Sequence, residues 1–322
     1  MEIQTRLTKL LKIKYPIIQG GLAYLAYSDL AAAVSNAGGL GQITAMSLSS
    51  PDELREEIRK IKSLTNNPYG VNYAIGQHGR PYEHMVEVAI EEKVPVISIT
   101  GGNPKSVLDM VNGHGIKTLV LVAATRQAQK AEELGADAVM VVGQEGGGHL
   151  GRSDIGTFVL TPEVVDKVSI PVVASGGIVD GRGLMAALSL GAEGIEMGTR
   201  FIATKECIHA HESYKQSILE AGEDSTVVIK RSIGAPARAI KNTWTEKILE
   251  IEKQNEGYES LKEYISGAAN KRFIYDGDSD NGFGWAGQSS IRIHNVSTVE
   301  ELITNIMKEA KQVREKWIGF KE

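Results

Sequence analysis

The sequence has almost no cysteine: Cys207 is the only one among 322 residues. A single cysteine cannot form a disulfide within the chain, and disulfides are typical of proteins in oxidising compartments. The first 18 residues, MEIQTRLTKLLKIKYPII, also lack the long apolar stretch of a secretory signal peptide. We therefore expect a reducing, cytoplasmic setting.

Long hydrophobic runs and an excess of basic residues are missing as well. Runs such as KTLVLVAA and DAVMVVG stop at strand length, whereas a membrane helix needs about 20 apolar residues. The formal net charge is −5, with Lys and Arg scattered among Asp and Glu, which leaves no basic face for nucleic acid or anionic lipid. We expect a small-molecule substrate and neither a nucleic-acid nor a membrane partner. The sequence does not fix the oligomeric state, for which a homodimer is one option.

Eight short apolar runs, rich in β-branched residues, recur along the first two thirds of the chain. They are YPIIQG, GLGQITA, YGVNYAI, VPVISIT, IKTLVLV, ADAVMVV, IPVVAS and GIEMGT. Each is nearly continuously apolar, a pattern typical of parallel strands that helices cover, and amphipathic segments separate them. This alternation predicts an α/β fold, a (β/α)8 TIM barrel.

Several helix starts are marked by a capping residue next to a proline. Residues 50–53, SPDE, have the pattern of a capping box with proline at the first helical position. The apolar face that follows consists of Leu54, Ile58 and Ile61. By the same reasoning, later helices should open at Asn103–Pro104 and at Thr161–Pro162.

The pattern changes after about residue 205. Longer, more polar helices follow, and then a glycine-rich stretch, GDSDNGFGWAGQSS. We predict that residues 1–205 and about 275–322 form the barrel, and that about 205–275 form a small, mainly helical lid or substrate domain. The last helix, from about Thr298, should return to the barrel.

Two glycine-bearing loops, SGGIVDGRG and GTRF, follow the seventh and eighth predicted strands. Barrels commonly bind a phosphate at these loops, because backbone N–H groups and a helix N-terminus converge there. Gly176 and Gly177 would let the backbone approach an anion, and Thr199 would add a hydroxyl group. Asp180 could cap the following helix. We predict a phosphate site here; the alternative is that the glycines serve only tight turns.

The stretch GQEGGGHLGR, residues 143–152, places three glycines directly before His149. It satisfies G-x-G-x-x-G, but a dinucleotide site needs a helix that starts within the motif, and here the helix is expected only at Thr161–Pro162. We favour a loop that lies flat against a planar ligand, with His149 over it as donor, acceptor or proton carrier. The alternative is a surface loop with an incidental histidine.

Polar residues elsewhere are weaker candidates. Asn72 ends the third strand and needs a partner at the barrel mouth, which could be a ligand or a neighbouring protein group. His209 and His211 are two residues apart and do not share a helix face, so we expect no metal site there. Solvated roles are the default for His78, His84, His114 and His294. Neither a G-x-S-x-G nucleophile motif nor a P-loop occurs.

The motifs GQEGGGHLG, QGG after the first strand, GVN at Asn72, ASGGIVDGRG and MGTRFIATKE resemble the nitronate monooxygenase (2-nitropropane dioxygenase) family. The resemblance extends over nearly the whole chain. The family consists of FMN-dependent (β/α)8 enzymes, and its close relatives are an FMN-dependent enoyl-ACP reductase and an NADH:quinone reductase subgroup.

This resemblance implies roles for particular residues. His149 matches the family's catalytic histidine. The residues implied to bind FMN are Gly20, Gly21 and Asn72 beneath or beside the ring system, Gly147 and Gly148 at its border, and Ser175, Gly176, Gly177, Gly198 and Thr199 at its phosphate, with Met197 beside them. The chain departs from the family at Val142, where the family often has Gln, Glu or Asp, and at Gly146, where it often has Ala.

The leading hypothesis is an FMN-dependent nitronate monooxygenase that oxidises alkyl nitronates with O2 to carbonyl compounds and nitrite. The alternative within the fold is a reductase that uses NAD(P)H as co-substrate and acts on quinones or enoyl-ACP. Two further options are a flavin-free barrel acting on a phosphorylated metabolite and a protein that binds flavin without turnover. A flavin-free enzyme would need a lysine or a pair of acids at the barrel mouth, which the sequence does not reveal.

Overall fold

The computed structural model describes residues 3–76, 81–254 and 257–318. Eight parallel strands build the barrel: β1 Ile17–Gln19, β2 Gly41–Thr44, β3 Tyr69–Ala74, β4 Val96–Thr100, β5 Lys117–Val122, β6 Ala138–Val142, β8 Val172–Ser175 and β9 Gly194–Met197. A two-residue strand, β7 Gly148–His149, lies in the loop after β6.

The strands neighbour one another in the order β1-β9-β8-β6-β5-β4-β3-β2. The ring closes between β1 and the segment before β2, where the Gln19 N–H donates to the Leu40 carbonyl and the Leu40 N–H donates to the Ile17 carbonyl, both at 2.9 Å. Every residue of β6, β8 and β9 is buried, because helices cover the outer face and side chains fill the interior. The predicted (β/α)8 barrel is confirmed.

The helices of the barrel are α1 Arg6–Leu11, α2 Ser28–Asn36, α3 Pro51–Leu64, α4 Glu83–Glu91, α5 Lys105–Val111, α6 Thr125–Glu133, α7 Thr157–Val165, α8 Gly181–Ser189 and α9 Thr199–Ile202. Helix α14, Val299–Ile318, runs back beside α8. There the Glu309 carboxylate accepts a hydrogen bond from the Gly181 N–H at 2.9 Å. A Cβ at Gly181 would fall against the Ala310 nitrogen, so the two helices meet at close range.

Helix α3 follows its sequence signals. It begins at Pro51, the Ser50 hydroxyl accepts from the Glu53 N–H, and the predicted apolar face is buried. The return bond of the capping box differs, because the Glu53 carboxylate accepts from Ser49, through its N–H at 2.8 Å and its hydroxyl at 2.5 Å. The start of α5 is close to the predicted one, with the Asn103 side chain accepting from the Lys105 N–H.

The predicted helix start at Thr161–Pro162 is wrong. Helix α7 begins at Thr157, and Pro162 lies inside it. The Glu145 carboxylate, from the preceding loop, accepts from the Thr157 N–H at 2.8 Å and so supplies the cap. The carbonyl that Pro162 leaves without its helical donor belongs to Phe158, a residue that is 70% exposed. The early start weakens the sequence argument against a dinucleotide loop, although the helix still begins after the glycine motif has ended.

Beyond α9 the chain forms α10 Glu212–Leu219, β10 Thr226–Ile229, β11 Ala237–Ile240, α11 Thr243–Gln254, α12 Tyr258–Leu261 and α13 Gly267–Ile274. A separate apolar cluster joins β10, β11, α11, α12 and α13 and includes Ile229, Ile248, Leu261 and Phe283, whereas Tyr214 and Ile218 of α10 pack in the cluster of the barrel. Strands β10, β11 and β7 make an antiparallel sheet. The hairpin of this region therefore pairs directly with the loop that follows β6.

In the described part of the chain, no helix combines the length and the apolar character needed to cross a membrane. Within the same ranges, no three or more His, Cys, Asp or Glu side chains are grouped to hold a metal ion. His211 accepts from the Ser213 N–H and caps α10. The expectation for His78 concerns a residue outside the described ranges, whereas His84, His114 and His294 are exposed.

Candidate active site

The loop of residues 143–152 lies at the C-terminal end of the barrel and is fixed from three directions. The Gly143 N–H donates to the Ser175 carbonyl at the end of β8. The Glu145 carbonyl accepts from the Gln288 N–H at 2.9 Å. Strand β7 pairs with β11, with Ala237 opposite His149. The barrel, the glycine-rich C-terminal stretch and the appended hairpin thus set the position of this loop together.

The three glycines of the loop have different surroundings. A Cβ at Gly147 would lie 2.6 Å from the Gly287 nitrogen, and one at Gly146 would lie 2.7 Å from a methyl group of Val142. Gly148 has a φ of +73°, and apart from its chain neighbours no described atom lies within 4 Å of its Cβ position. Local packing against Val142 therefore accounts for Gly146, and packing against the C-terminal stretch accounts for Gly147. The Cβ position of Gly148, by contrast, faces open space.

His149 is exposed at the barrel mouth and lies beside a buried lysine. Its Nε2 is 2.7 Å from Nζ of Lys230, a residue that is 8% exposed. Burial lowers the pKa of the Lys230 ammonium group to about 8, and the negative charge of Glu252 partly opposes this shift. The Trp285 ring lies beside both groups, with its centroid 5.8 Å from that of His149 and 5.7 Å from Nζ of Lys230.

Asn72 and Gly21 lie against each other at the barrel mouth. The Asn72 side chain donates to the hydroxyls of Ser98 at 2.9 Å and Thr100 at 3.0 Å. A Cβ at Gly21 would fall against the Asn72 amide oxygen, so Gly21 must lack a side chain. Neighbouring protein groups therefore satisfy the Asn72 amide donors. The implied contact of Asn72 with a ring system stays a prediction.

A buried carboxyl group, Glu196, lies near Gly20 and Ser175. Glu196 is on β9 and is 7% exposed. Burial raises the pKa of its carboxyl, while a hydrogen bond from the Ser175 side chain lowers it. A Cβ at Gly20 would lie 2.7 Å from Oε1 of Glu196, and the Gly20 N–H donates to the Met197 carbonyl at 2.9 Å. The implied cofactor residues Gly20, Ser175 and Met197 thus meet around an acid that the sequence analysis did not select.

The predicted phosphate loops come together at the ends of β8 and β9. Gly176 and Gly177 have φ values of +93° and +78°, a left-handed backbone that favours glycine. The Thr199 hydroxyl accepts from the Gly287 N–H at 2.9 Å, which leaves its proton free to be donated. Asp180 caps α8 as predicted, by accepting from the N–H groups of Arg182 and Gly183.

These loops fit the phosphate end of the FMN that the motifs imply. A Cβ at Gly198 would meet one atom, Cδ2 of Leu22 at 3.2 Å, among the described residues, so the backbone is open to a ligand there. On the neighbouring loop, Gly176 and Gly177 are required by their left-handed backbone and by protein packing, since their Cβ atoms would lie 3.0 Å from the Gly146 nitrogen and 3.3 Å from Cβ of Glu145. The open position at Gly148 directly precedes His149 in the chain. The arrangement can accept a long ligand with an anionic group at one end.

Several residues of the site escaped the sequence analysis, namely Glu145, Glu196, Lys230, Trp285 and Gly287. Two of them carried a signal. Glu196 is a carboxylate inside the apolar run GIEMGT, and a charge in a buried strand needs a partner or a function. Gly287 lies in GFGWAG, a glycine-rich stretch whose destination the sequence does not show.

Three comparisons with known proteins agree with this geometry. The family model described as nitronate monooxygenase matches residues 4–79 and 73–309. A probable nitronate monooxygenase of Staphylococcus saprophyticus is 35% identical, over 97% of this chain and 99% of its own length. One of Staphylococcus aureus is 32% identical, over 96% of this chain and 98% of its own length.

Solved structures show the same fold at higher and lower identity. FabK of Thermotoga maritima has a TM-score of 0.92 and 40% identity, covering 98% of this chain and 99% of its own. A nitroalkane oxidase of Streptomyces ansochromogenes has a TM-score of 0.84 and 26% identity, covering 97% of this chain and 100% of its own. The protein is an oxidoreductase of the FMN type, and the chain belongs to the nitronate monooxygenase family.

Proposed function

We propose that the protein is an FMN-dependent nitronate monooxygenase that converts alkyl nitronates and O2 into carbonyl compounds and nitrite. The observation that carries this proposal is the pairing of His149 with the buried Lys230 at 2.7 Å, beside the open backbone at Gly148. A nitronate is an anion, and a hydrogen-bond donor backed by a desolvated cation favours an anion. Two nitronate ions and one O2 give two carbonyl molecules and two nitrite ions, which balances atoms and charge.

Different residues around the barrel mouth would bind the cofactor and orient the substrate. FMN supplies the electron transfer when it is bound, and the backbone at Gly176, Gly177 and Gly198 would hold its phosphate. His149 would donate a hydrogen bond to a nitronate oxygen. Trp285, half-buried beside the imidazole, would cover one side of the substrate and limit the access of water.

We predict that His149→Ala lowers nitronate turnover by about 10²-fold or more, within the range that one positioned proton donor contributes. FMN content should change little, because His149 does not lie in the phosphate loops. His114→Ala is a matched control, since His114 is exposed and precedes β5, at the opposite end of the barrel. The measurement is steady-state oxygen consumption with propyl nitronate, together with the flavin absorbance of each purified variant. Unchanged turnover in His149→Ala would remove this residue from the reaction.

A reductase that takes electrons from NAD(P)H is the second candidate. The observation that favours testing it is the greater similarity to FabK than to the nitroalkane oxidase, with TM-scores of 0.92 and 0.84. Anaerobic absorbance spectra, recorded with propyl nitronate, NADH or NADPH in separate cuvettes, separate the two functions. Loss of the oxidised flavin bands with nitronate alone supports the monooxygenase, and loss with a nicotinamide alone assigns a reductase. A colourless protein that does not take up added FMN would contradict both.

A further inference from the structure

We propose that Lys230 is a positioning residue for His149: its ammonium group donates to Nε2 and keeps the imidazole neutral, with its proton on Nδ1. The tautomer follows from the geometry of the pair and does not depend on the proposed function. The catalytic use of the Nδ1–H group rests on the proposed function.

The short distance between the two nitrogens requires that one donates and the other accepts. Nζ of Lys230 lies 2.7 Å from Nε2 of His149, and an imidazolium beside an ammonium would leave no acceptor between them. Because the Lys230 pKa is about 8, the ammonium form is the main form at pH 7. The lysine is therefore the donor and Nε2 the acceptor.

The fold holds both partners in place through their backbones. Strand β7 fixes His149 through its pairing with β11. Lys230 follows β10 with a φ of +68°, a left-handed conformation that is unfavourable for a residue with a Cβ atom. Its N–H donates to the Glu252 carboxylate at 2.8 Å, and that carboxylate also accepts from the N–H and hydroxyl of Ser232. A strained backbone held by such bonds indicates a side chain whose direction matters.

The groups that face the Lys230 ammonium define its titration. They are the His149 ring from β7, the Trp285 ring from the C-terminal stretch and the Glu252 carboxylate from α11. Arg231, the next residue, forms an ion pair with Asp154 at 2.9 Å. The cation beside Nε2 also opposes a second proton on the ring, since two like charges at this distance repel strongly. The single ring proton is then carried by Nδ1.

The test is the tautomer of His149, read from the 15N chemical shifts of the ring in full-length protein labelled with 15N-histidine and purified with its flavin. The His149→Gln variant identifies the signals. At neutral pH we expect Nδ1 to be protonated and Nε2 not, and we expect Lys230→Met to convert this state to a mixture of tautomers. Lys230→Arg restores a donor that cannot lose its proton and should restore the Nδ1–H state. Lys241→Met is the control, since Lys241 lies on the surface after β11.

A titration of the unmodified protein keeps the test independent of whether Lys230→Met folds. As the pH rises through about 8, the ammonium group loses its proton, and the Nε2 signal should move with that midpoint. A ring state that is the same in Lys230→Met as in the parent, or an Nε2 signal that does not move with pH in this range, would overturn the proposal.

Turnover is measured separately. Lys230→Met should lower kcat for nitronate by about 10²-fold, the lower end of what a positioned proton donor contributes, with FMN content unchanged. If the parent protein does not oxidise nitronate but shows the expected tautomer, the proposed function fails and the assignment of Lys230 stands. If nitronate is oxidised but Lys230→Met leaves the tautomer unchanged, the proposed function stands and the assignment of Lys230 fails.

Discussion

Gly147→Ala distinguishes two reasons for the glycines before His149. The motif alone suggests that they make room for a planar cofactor, whereas the structure places the Gly147 Cβ position 2.6 Å from the Gly287 nitrogen and 2.7 Å from the Ala286 carbonyl carbon. An ordinary contact begins at 3.4 Å, so the backbone at Gly287 would have to move by about 0.8 Å. Overpacking of this kind costs about 1–3 kcal/mol. We expect a value near the upper end, because both contacts are backbone atoms and the Gly287 N–H also donates to Thr199.

The assay is urea-induced unfolding of the flavin-free protein, followed by circular dichroism, with Gly148→Ala as the matched control. Gly148 meets no described atom beyond its neighbours but has a φ of +73°, so its alanine variant should lose only the strain energy of about 1 kcal/mol. Gly147→Ala should therefore unfold at the lower urea concentration. If Gly147→Ala without flavin is as stable as the parent and only FMN binding is lost, the reasoning from protein packing is refuted and the cofactor explains this glycine.

Two further predictions concern buried or capping carboxylates. Glu145→Gln should destabilise the protein by about 1 kcal/mol, because it removes a charged acceptor for the N–H and hydroxyl of Thr157 at the start of α7. The exposed Glu163→Gln on the same helix should change the urea midpoint little, and equal effects of the two variants would contradict the capping role. Burial raises the pKa of Glu196 in the folded state, so its contribution to stability is complete below its unfolded pKa of 4.5 and is lost as the pH rises through the folded value. The side chain that Glu196→Gln introduces is neutral at every pH. The free energy of unfolding in urea should therefore fall less in this variant than in the parent between acid and neutral pH. Identical pH dependences would show that Glu196 ionises freely.

The sequence by itself determined the elements that depend on local patterns. All eight barrel strands were predictable, because strands buried on both faces form nearly continuous apolar runs. Helix α3 was predictable for a similar reason, since its cap and its buried face lie within a few residues of each other. The resemblance to the family came from short motifs, and the comparisons confirm it. The roles it implies for His149 and the cofactor glycines stay predictions, supported by a loop geometry that is compatible with them.

Only the tertiary structure decided which distant residues meet at the barrel mouth. Helix α7 begins earlier than predicted because its cap is Glu145, a residue of another loop. Gly147 packs against Gly287, and Lys230, which lies in the region predicted to be a mainly helical lid, reaches His149. A sequence pattern indicates which residues of a segment are buried and which hydrogen bonds form between residues that are close in the chain. Groups far apart in the chain are paired by barrel closure and by the appended hairpin, so their charges, strain and donor roles are set by packing that the local pattern does not contain.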